Sequence, residues 1–275
     1  MSLYIQTNLA SMVVQNNLAN AQGALSSNFA KLSSGYRING AADDAAGLGI
    51  SKSMNAQLRS LAVAQRNASD GISMAQTADG AAEQIHGILT RMRELAVQGA
   101  NGTLNAGDSA NLDTEFQANL AEIDRIAQVT TFNGSNLLAG SSATVTFQVG
   151  IQNAAPDRMV VGFGGADLAG LALTGAAVDS IADARTALGT LDSALTSLST
   201  LREGWGAAVN RLTGTVGTLE AQRNNLAASL GRIRDVDVAA ETAAMSRNQV
   251  LAQAGVSVLS QANQSPQVAL SLLRG

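Results

Sequence analysis

Apolar residues recur at spacings of three, four and seven between Ile181 and Ile233, and no proline interrupts them. This spacing is the heptad pattern of a coiled coil. A continuous helix over the range would be roughly 80 Å long. Because a helix with one apolar stripe gains most of its stability from packing, we expect other segments of the chain to supply partner helices.

Two further segments show the same helical spacing. One runs from Met54 to Leu95, and a shorter one runs from Leu112 to Ile126. The glycine-rich connector before the first predicts a helix start capped by Asp43 or Asp44. In the same way, Asp108 or Ser109 is expected to cap the shorter helix.

The pattern changes to strict alternation after residue 140. Apolar residues alternate with other residues from Val145 to Ile151, and again from Met159 to Phe163. A period of two with an intervening turn predicts a β-hairpin. Asn133-Gly134, just upstream, is typical of a tight turn.

Both ends of the chain carry nearly uncharged helical stripes. The final stripe is expected to be interrupted near Pro266, and the two stripes suit each other as an antiparallel or coaxial pair. They would also suit neighbouring molecules. The predicted fold is therefore mainly α, with long antiparallel coiled-coil helical rods, one small β-hairpin region and paired terminal helices.

The composition argues against several classes of function. The chain has 275 residues, 46% of them hydrophobic and 3% aromatic, a net charge of −4 and no cysteine. Without a basic block, a nucleic-acid partner is not expected. No apolar run approaches the roughly 18 residues that span a bilayer, so membrane insertion is not expected, and the N-terminus lacks the pattern of a secretory signal.

Candidate catalytic chemistry is sparse. His86 is the single histidine, so a metal site or a catalytic triad lacks its usual set of ligands or bases. We interpret His86 as a helix-surface residue and the Asp43-Asp44 pair as capping acids. The sequence predicts no enzyme activity, no cofactor and no metal.

An ordered set of motifs at both ends resembles the bacterial flagellins, in a short form. The set covers nearly everything outside the hairpin interval. The longest matches are Lys31-Leu32-Ser33-Ser34-Gly35-Tyr36-Arg37-Ile38-Asn39, Asp43-Asp44-Ala45-Ala46-Gly47, Arg66-Asn67-Ala68-Ser69-Asp70-Gly71-Ile72-Ser73-Met74-Ala75-Gln76-Thr77, Arg91-Met92-Arg93-Glu94-Leu95-Ala96-Val97-Gln98, Ile233-Arg234-Asp235-Val236-Asp237 and Ser260-Gln261-Ala262-Asn263-Gln264. Departures from the family pattern include Gln6, Ser265, Gly275 and Gly204-Trp205-Gly206 within the long helix.

The resemblance implies a structural subunit that polymerises into the extracellular flagellar filament for motility. It implies export in the unfolded state through the flagellar type III system, and partners that include other copies of the chain, an export chaperone, and filament cap and junction proteins. The implied segments are 1–40 and 235–275 as helices of the inner filament core, 41–140 and 179–234 as rod helices, and 141–178 as hairpin and connector.

Two sets of site residues follow from the resemblance. The first is a polymerisation set on the terminal helices: Ile5, Leu9, Met12, Leu18, Leu25, Phe29, Leu32, Leu251, Val258, Leu259, Leu270 and Leu273. The second is a contact set for the innate immune receptor Toll-like receptor 5: Leu89, Arg91, Leu95, Gln98 and Glu115. Arg91 and Glu115 equally suit a local or intersubunit ion pair.

Other functions remain open at this point. A hook–filament junction protein shares the terminal helices with a filament subunit. A secreted enzyme or a membrane-interacting translocator belongs to another class, but the first lacks a site and the second would need a stronger apolar hairpin or basic faces.

Overall fold

The computed structural model describes residues 7–140 and 143–274, and the side chains of residues 7–140 and 144–264. The chain divides into two units. Unit 1 comprises Met1–Ala56 and Asn225–Gly275, and unit 2 comprises Gln57–Asn224. None of the helices in the described part is long and apolar enough to cross a membrane.

The described chain is mainly helical, as predicted. The helices are α1 (Leu9–Ser34), α2 (Ala45–Gly99), α3 (Ala106–Val129), α4 (Ile181–Arg234) and α5 (Val238–Arg274). The strands are β1 (Thr131–Phe132), β2 (Ser135–Asn136), β3 (Ala143–Gln148) and β4 (Arg158–Phe163), and a short 3-10 helix at Ala155–Asp157 precedes β4. The alternating segment that we predicted as a hairpin is the antiparallel pair β3 and β4.

Within unit 2, α2 and α4 pack with opposite chain directions. Arg93 Nε lies 2.7 Å from Asp192 Oδ1, and Arg202 Nε lies 2.7 Å from Asp79 Oδ1. The residue further along α4 therefore pairs with the residue nearer the start of α2, as in an antiparallel helix pair. The buried positions of α4 in this unit keep the three-four spacing of a coiled coil. They are Ala184, Ala187, Leu191, Ala194, Leu198, Trp205, Ala208, Leu212 and Leu219.

The predicted N-cap residue is confirmed at the start of α2 and is wrong at the start of α3. Asp44 accepts a hydrogen bond from the backbone N–H of Gly47 at the start of α2, at 2.8 Å, as predicted. At α3 the prediction of Asp108 or Ser109 as the cap is wrong, because Asn105 is the N-cap residue and Asp108 completes a reciprocal capping box. The two side chains each bond to the other's backbone N–H, which satisfies two free donors.

A second small strand pair, absent from the prediction, precedes the hairpin. Strands β1 and β2 are antiparallel and are joined by Asn133 and Gly134, both with positive φ. This backbone is the type I′ geometry that Asn-Gly favours, so the predicted tight turn closes two very short strands. Beyond the end of β3, Val149 is buried as expected, whereas Ile151 is exposed.

Trp205, the central residue of the unusual Gly204-Trp205-Gly206 sequence, is a packing residue of unit 2. Its indole is buried, its Nε1 donates a hydrogen bond to the carbonyl oxygen of Gly162 at 2.8 Å, and its ring stacks on Phe163 with centroids 6.3 Å apart. Because both partners belong to β4, this one side chain fixes the hairpin against α4.

In unit 1, α1 and α5 form an antiparallel pair. The expected interruption of the last helix near Pro266 is wrong, since the backbone of α5 is helical from Val238 to Arg274. A proline inside a helix removes one backbone N–H donor. The residues on both sides of Pro266 keep the helical spacing of apolar positions, and the helix continues past the proline.

Candidate functional site

The contact between α1 and α5 is built from small, polar and medium-sized side chains. Less exposed positions recur along one side of α1 at spacings of three and four: Ser11, Val14, Leu18, Ala21, Leu25, Asn28 and Leu32. We call these positions the seam of α1. Only Ser11, Ala21 and Asn28 among them are buried, so the pairing hides little large apolar surface.

Hydrogen bonds between α1 and α5 lie towards both ends of the described pair. At one end Asn8 Nδ2 donates to the carbonyl oxygen of Ala262 and Ser11 Oγ donates to Asn263 Oδ1, each at 2.8 Å. Near the other end Asn28 accepts a hydrogen bond from Asn248 Nδ2 at 2.9 Å. Buried polar groups that are satisfied in this way favour one alignment of two helices over others.

Asn28 also donates to Glu241 Oε1, so one α1 amide bridges two residues that lie two turns apart on α5. Between these polar contacts Leu18 packs over Gly255, where an added Cβ would lie 3.4 Å from Leu18 Cδ1. This is an ordinary van der Waals distance, so an alanine at position 255 would also fit against Leu18.

A second contact closes the pair where α1 ends. Gly35 caps α1 with a φ of 73°, and its carbonyl oxygen accepts a hydrogen bond from the N–H of Val236 at 3.0 Å. The N–H of Arg37 donates to the carbonyl oxygen of Arg234 at 2.7 Å, and the Arg234 guanidinium lies 3.9 Å from the centre of the Tyr36 ring. These contacts hold the end of α1 beside the start of α5.

Many large apolar side chains of the two helices are more than half exposed. We call them the exposed apolar set: Leu9, Met12, Val13 and Phe29 of α1, and Val238, Val250, Leu251, Val256 and Val258 of α5. So many exposed large apolar side chains on one helix pair are typical of an interaction surface. Because the exposed positions occur on several sides of the helices, the surface suits more than one neighbour.

An apolar groove of about 540 Å³ lies between the two helices. Leu18, Ala21, Leu251 and Val258 line it together with polar groups of Asn17 and Asn248. The predicted residues Leu251 and Val258 lie seven positions apart on the same side of α5. Both line this groove together with the seam residue Leu18.

The structure separates the predicted polymerisation set into two groups. Leu18, Leu25, Leu32 and Leu259 are half-buried, and the three α1 residues among them belong to the seam. The exposed members are Leu9, Met12, Phe29, Leu251 and Val258. The predicted residues Ile5, Leu270 and Leu273 lie outside the side chains that the structure describes.

A second candidate site lies in unit 2, where α2 meets α3. Arg91 Nη2 lies 2.8 Å from Glu115 Oε1, and Arg91 Nη1 lies 3.0 Å from Glu94 Oε2. The hydrogen bond to Glu115, followed by the one to Glu94, raises the pKa of Arg91. The local ion pair that the sequence suggested is therefore present within one chain, and since about half of each side chain is exposed it adds little stability.

The other predicted receptor contacts divide by burial. Gln98 is exposed and lies seven residues after Arg91 on α2, whereas Leu89 and Leu95 are fully buried in the core of unit 2. Leu89 and Leu95 therefore do not lie on the surface of the folded chain, and the receptor contact of the five residues stays a prediction. Sequence spacing alone could have shown this, because both leucines belong to the heptad pattern.

His86 is half-buried on α2 and lines a surface depression of about 540 Å³ together with Asp79 and Arg202. Arg202 in that depression already pairs with Asp79 and Glu83. Among the residues that the structure describes, no group of three or more His, Cys, Asp or Glu side chains is arranged to hold a metal ion.

Comparison with known sequences agrees with this architecture. The profile of the bacterial flagellin N-terminal helical region matches residues 5–143, and that of the C-terminal helical region matches residues 188–273. The flagellin of Halalkalibacterium halodurans is 45% identical over 247 residues, which cover 89% of this chain and 90% of that protein. The flagellin of Bacillus subtilis is 40% identical over 302 residues, covering 98% of this chain and 99% of that protein.

Comparison with solved structures points the same way. The crystal structure of Bacillus cereus flagellin matches with a TM-score of 0.51 and 35% identity, covering 60% of this chain and 94% of that one. A hook-associated protein from Vibrio parahaemolyticus, described as putative, gives a TM-score of 0.59 at 15% identity, over 70% of this chain and 100% of that one, and so shares the fold alone. With both helical regions matched and relatives aligned over nearly their whole length, the chain belongs to the bacterial flagellin family and is a structural subunit of the extracellular flagellar filament.

Proposed function

We propose that the chain polymerises by covering its exposed apolar set with other copies of itself. The observation that carries the proposal is that polar residues of α1 are buried while large apolar residues are exposed. The buried seam positions include Ser11 and Asn28, whereas Leu9 and Phe29 are more than half exposed. Covering each large apolar side chain is worth up to about 1.5–3 kcal/mol. A helical array of identical subunits can cover several sides of one helix pair at once.

Within this proposal the predicted terminal residues have two roles. Leu18, Leu25, Leu32 and Leu259 help to hold α1 against α5, while the exposed members contact neighbouring subunits. The segments keep the proposed division, with 1–40 and 235–275 in the inner core of the filament. Residues 41–140 and 179–234 form the rod helices, and 141–178 form the hairpin and connector.

The proposal is tested by replacing Leu251 with Ser and, separately, the buried Leu198 of unit 2 with Ala. Leu251→Ser removes apolar surface that is 53% exposed, so it should abolish or strongly slow filament growth while the thermal unfolding of the unassembled chain changes little. Leu198→Ala should do the reverse, lowering the unfolding temperature, because it leaves a cavity in the core. Normal filament growth of Leu251→Ser would contradict the proposal.

We further propose export in the unfolded state through the flagellar type III system, with an export chaperone, and contact with filament cap and junction proteins. A chain without cysteine has no disulfide that would resist unfolding, and the α1–α5 pair buries little apolar surface. Fusing a very stable, tightly liganded domain to the chain should block its export, whereas the unliganded fusion should pass. Export of the liganded fusion would contradict this part of the proposal.

Recognition by Toll-like receptor 5 is proposed at the exposed residues Arg91, Gln98 and Glu115. Replacing Arg91 with Ala should lower receptor signalling at least tenfold, because it removes a fixed guanidinium from the surface. Arg125→Ala is a matched control, since Arg125 forms a similar exposed ion pair with Glu122. Equal loss of signalling in both variants, or in neither, would contradict the site.

No enzymatic activity is proposed for this chain. The family to which it belongs is structural, and the lone His86 lies beside a saturated ion-pair cluster. The alternative of a hook–filament junction protein is distinguished by the assembly product, since a junction protein would form short caps and would not extend filaments.

A further inference from the structure

The methionines differ sharply in exposure. Among the side chains that the structure describes, only Met12 is a largely exposed methionine, at 53%. Met54 and Met245 are half-buried, and Met74, Met92 and Met159 are buried. An oxidant in solution therefore meets Met12 more readily than the other described methionines of the folded chain.

Met12 lies within an apolar patch. Leu9, Met12 and Val13 occupy positions i, i+3 and i+4 of α1, so they share one side of the helix. All three are more than half exposed, and none belongs to the seam. This N-terminal patch is a part of the exposed apolar set that polymerisation is proposed to cover.

We propose that Met12 is an oxidation site whose sulfoxide prevents the subunit from joining a filament. The inference rests on the proposed polymerisation and adds a chemical regulation to the same surface. The oxidant is a hydroperoxide such as hydrogen peroxide. Incorporation into the filament, in turn, protects Met12 from oxidation because neighbouring subunits cover the patch.

The chemical step is a two-electron oxygen transfer. A lone pair of Met12 Sδ attacks the distal oxygen of hydrogen peroxide, the O–O bond breaks and an S–O bond forms. The remaining hydroxide takes the proton from the transferred oxygen and leaves as water. The thioether is oxidised to a sulfoxide and the peroxide is reduced, and dedicated reductases can reverse the change.

The effect on assembly follows from the polarity of the product. A thioether is nearly apolar and adapts its shape to a neighbouring surface, whereas a sulfoxide carries a strongly hydrated oxygen. Covering that oxygen with the apolar side chains of another subunit would remove its water without supplying a donor. The oxidised subunit should therefore add to filament ends at least about tenfold more slowly.

The test uses the full-length chain, mild hydrogen peroxide and short fragments of its own filaments as seeds. The extent of oxidation at each methionine is measured by peptide mass spectrometry, and seeded growth is expressed as the ratio of treated to untreated rates for each variant. Met12→Leu removes the reactive sulfur. Met245→Leu is the matched control, because it removes a less exposed methionine from the other terminal helix.

We expect the growth ratio to fall at least about tenfold for the unchanged chain and for Met245→Leu, and less than about twofold for Met12→Leu. Treatment of the oxidised chain with methionine sulfoxide reductases for both epimers should restore growth. Met12 should also oxidise at least about tenfold more slowly in filaments than in the unassembled chain.

Three results would overturn the inference alone: full growth of a chain oxidised at Met12, equal loss in Met12→Leu, or undiminished oxidation of Met12 in intact filaments. Failure of the untreated chain to extend seeds would overturn the proposed polymerisation and this inference with it. The untreated control therefore distinguishes the two failures.

Discussion

Replacing Phe29 with Ala tests whether the exposed apolar set drives assembly. Phe29 is 52% exposed, so about half of its side chain remains to be covered by a neighbour. Full burial of such a side chain is worth about 1.5–3 kcal/mol, so the uncovered half is worth roughly 0.8–1.5 kcal/mol. Since about 1.4 kcal/mol corresponds to a tenfold change in an equilibrium constant, the critical concentration for filament growth should rise about four- to twelvefold.

The critical concentration is measured by sedimentation of seeded filaments over a dilution series. Val129→Ala is the matched control, because Val129 is 58% exposed but belongs to unit 2. It should change the critical concentration less than about twofold, and both variants should keep their helical circular dichroism. An unchanged critical concentration for Phe29→Ala, or an equal rise for Val129→Ala, would refute the reasoning.

Three further predictions concern unit 2. Trp205→Phe removes the donor to the Gly162 carbonyl and should lower the free energy of unfolding in urea by about 1–3 kcal/mol; no change would contradict the anchoring role. Leu219→Asp places a charge at a position only 6% exposed and should cost about 3 kcal/mol or more, so unchanged helicity and melting would contradict the heptad assignment. The hydrogen bond from Arg93 lowers the pKa of Asp192 below its ordinary 3.8, so the pair stabilises the fold above that pH. That contribution is lost as the pH falls through the lowered pKa, and the difference in unfolding free energy between the unchanged chain and Arg93→Gln should shrink below about pH 4; a constant difference down to pH 2 would contradict it.

The long helices and the larger hairpin could be predicted because a single physical signal specifies each of them. A heptad period over fifty residues has no stable alternative to a coiled coil. Likewise, strict alternation around a turn places Phe147 and Val161 on one buried side of a hairpin. In these segments local pattern and tertiary packing favour the same structure.

The details of the terminal helices could not be predicted in the same way. Apolar residues occupy several sides of α1, so the sequence does not show which of them face α5. The structure places the polar residue Asn28 in the seam and leaves its neighbour Phe29 exposed. A prediction from the spacing of apolar residues cannot identify a contact made by a polar side chain. The Asn28 amide forms hydrogen bonds with Glu241 and Asn248, and the apolar pattern does not show them.

Two other misses have local causes. Asn105 caps α3 because its side chain accepts a hydrogen bond from the N–H of Asp108. Asn, Asp and Ser are all common N-cap residues, so the sequence alone does not show which of Asn105, Asp108 and Ser109 begins the helix. The role of Trp205 depends on the carbonyl of Gly162, which lies 43 residues away in the chain and becomes a neighbour only in the fold.

The most direct test of the central claim is electron microscopy of seeded growth by the full chain and by variants that lack either terminal helix. The account predicts long helical filaments from the full chain, and no growth when residues 1–40 or residues 235–275 are removed. Persistent monomers or short caps from the full chain, or normal filaments from either truncated variant, would contradict it.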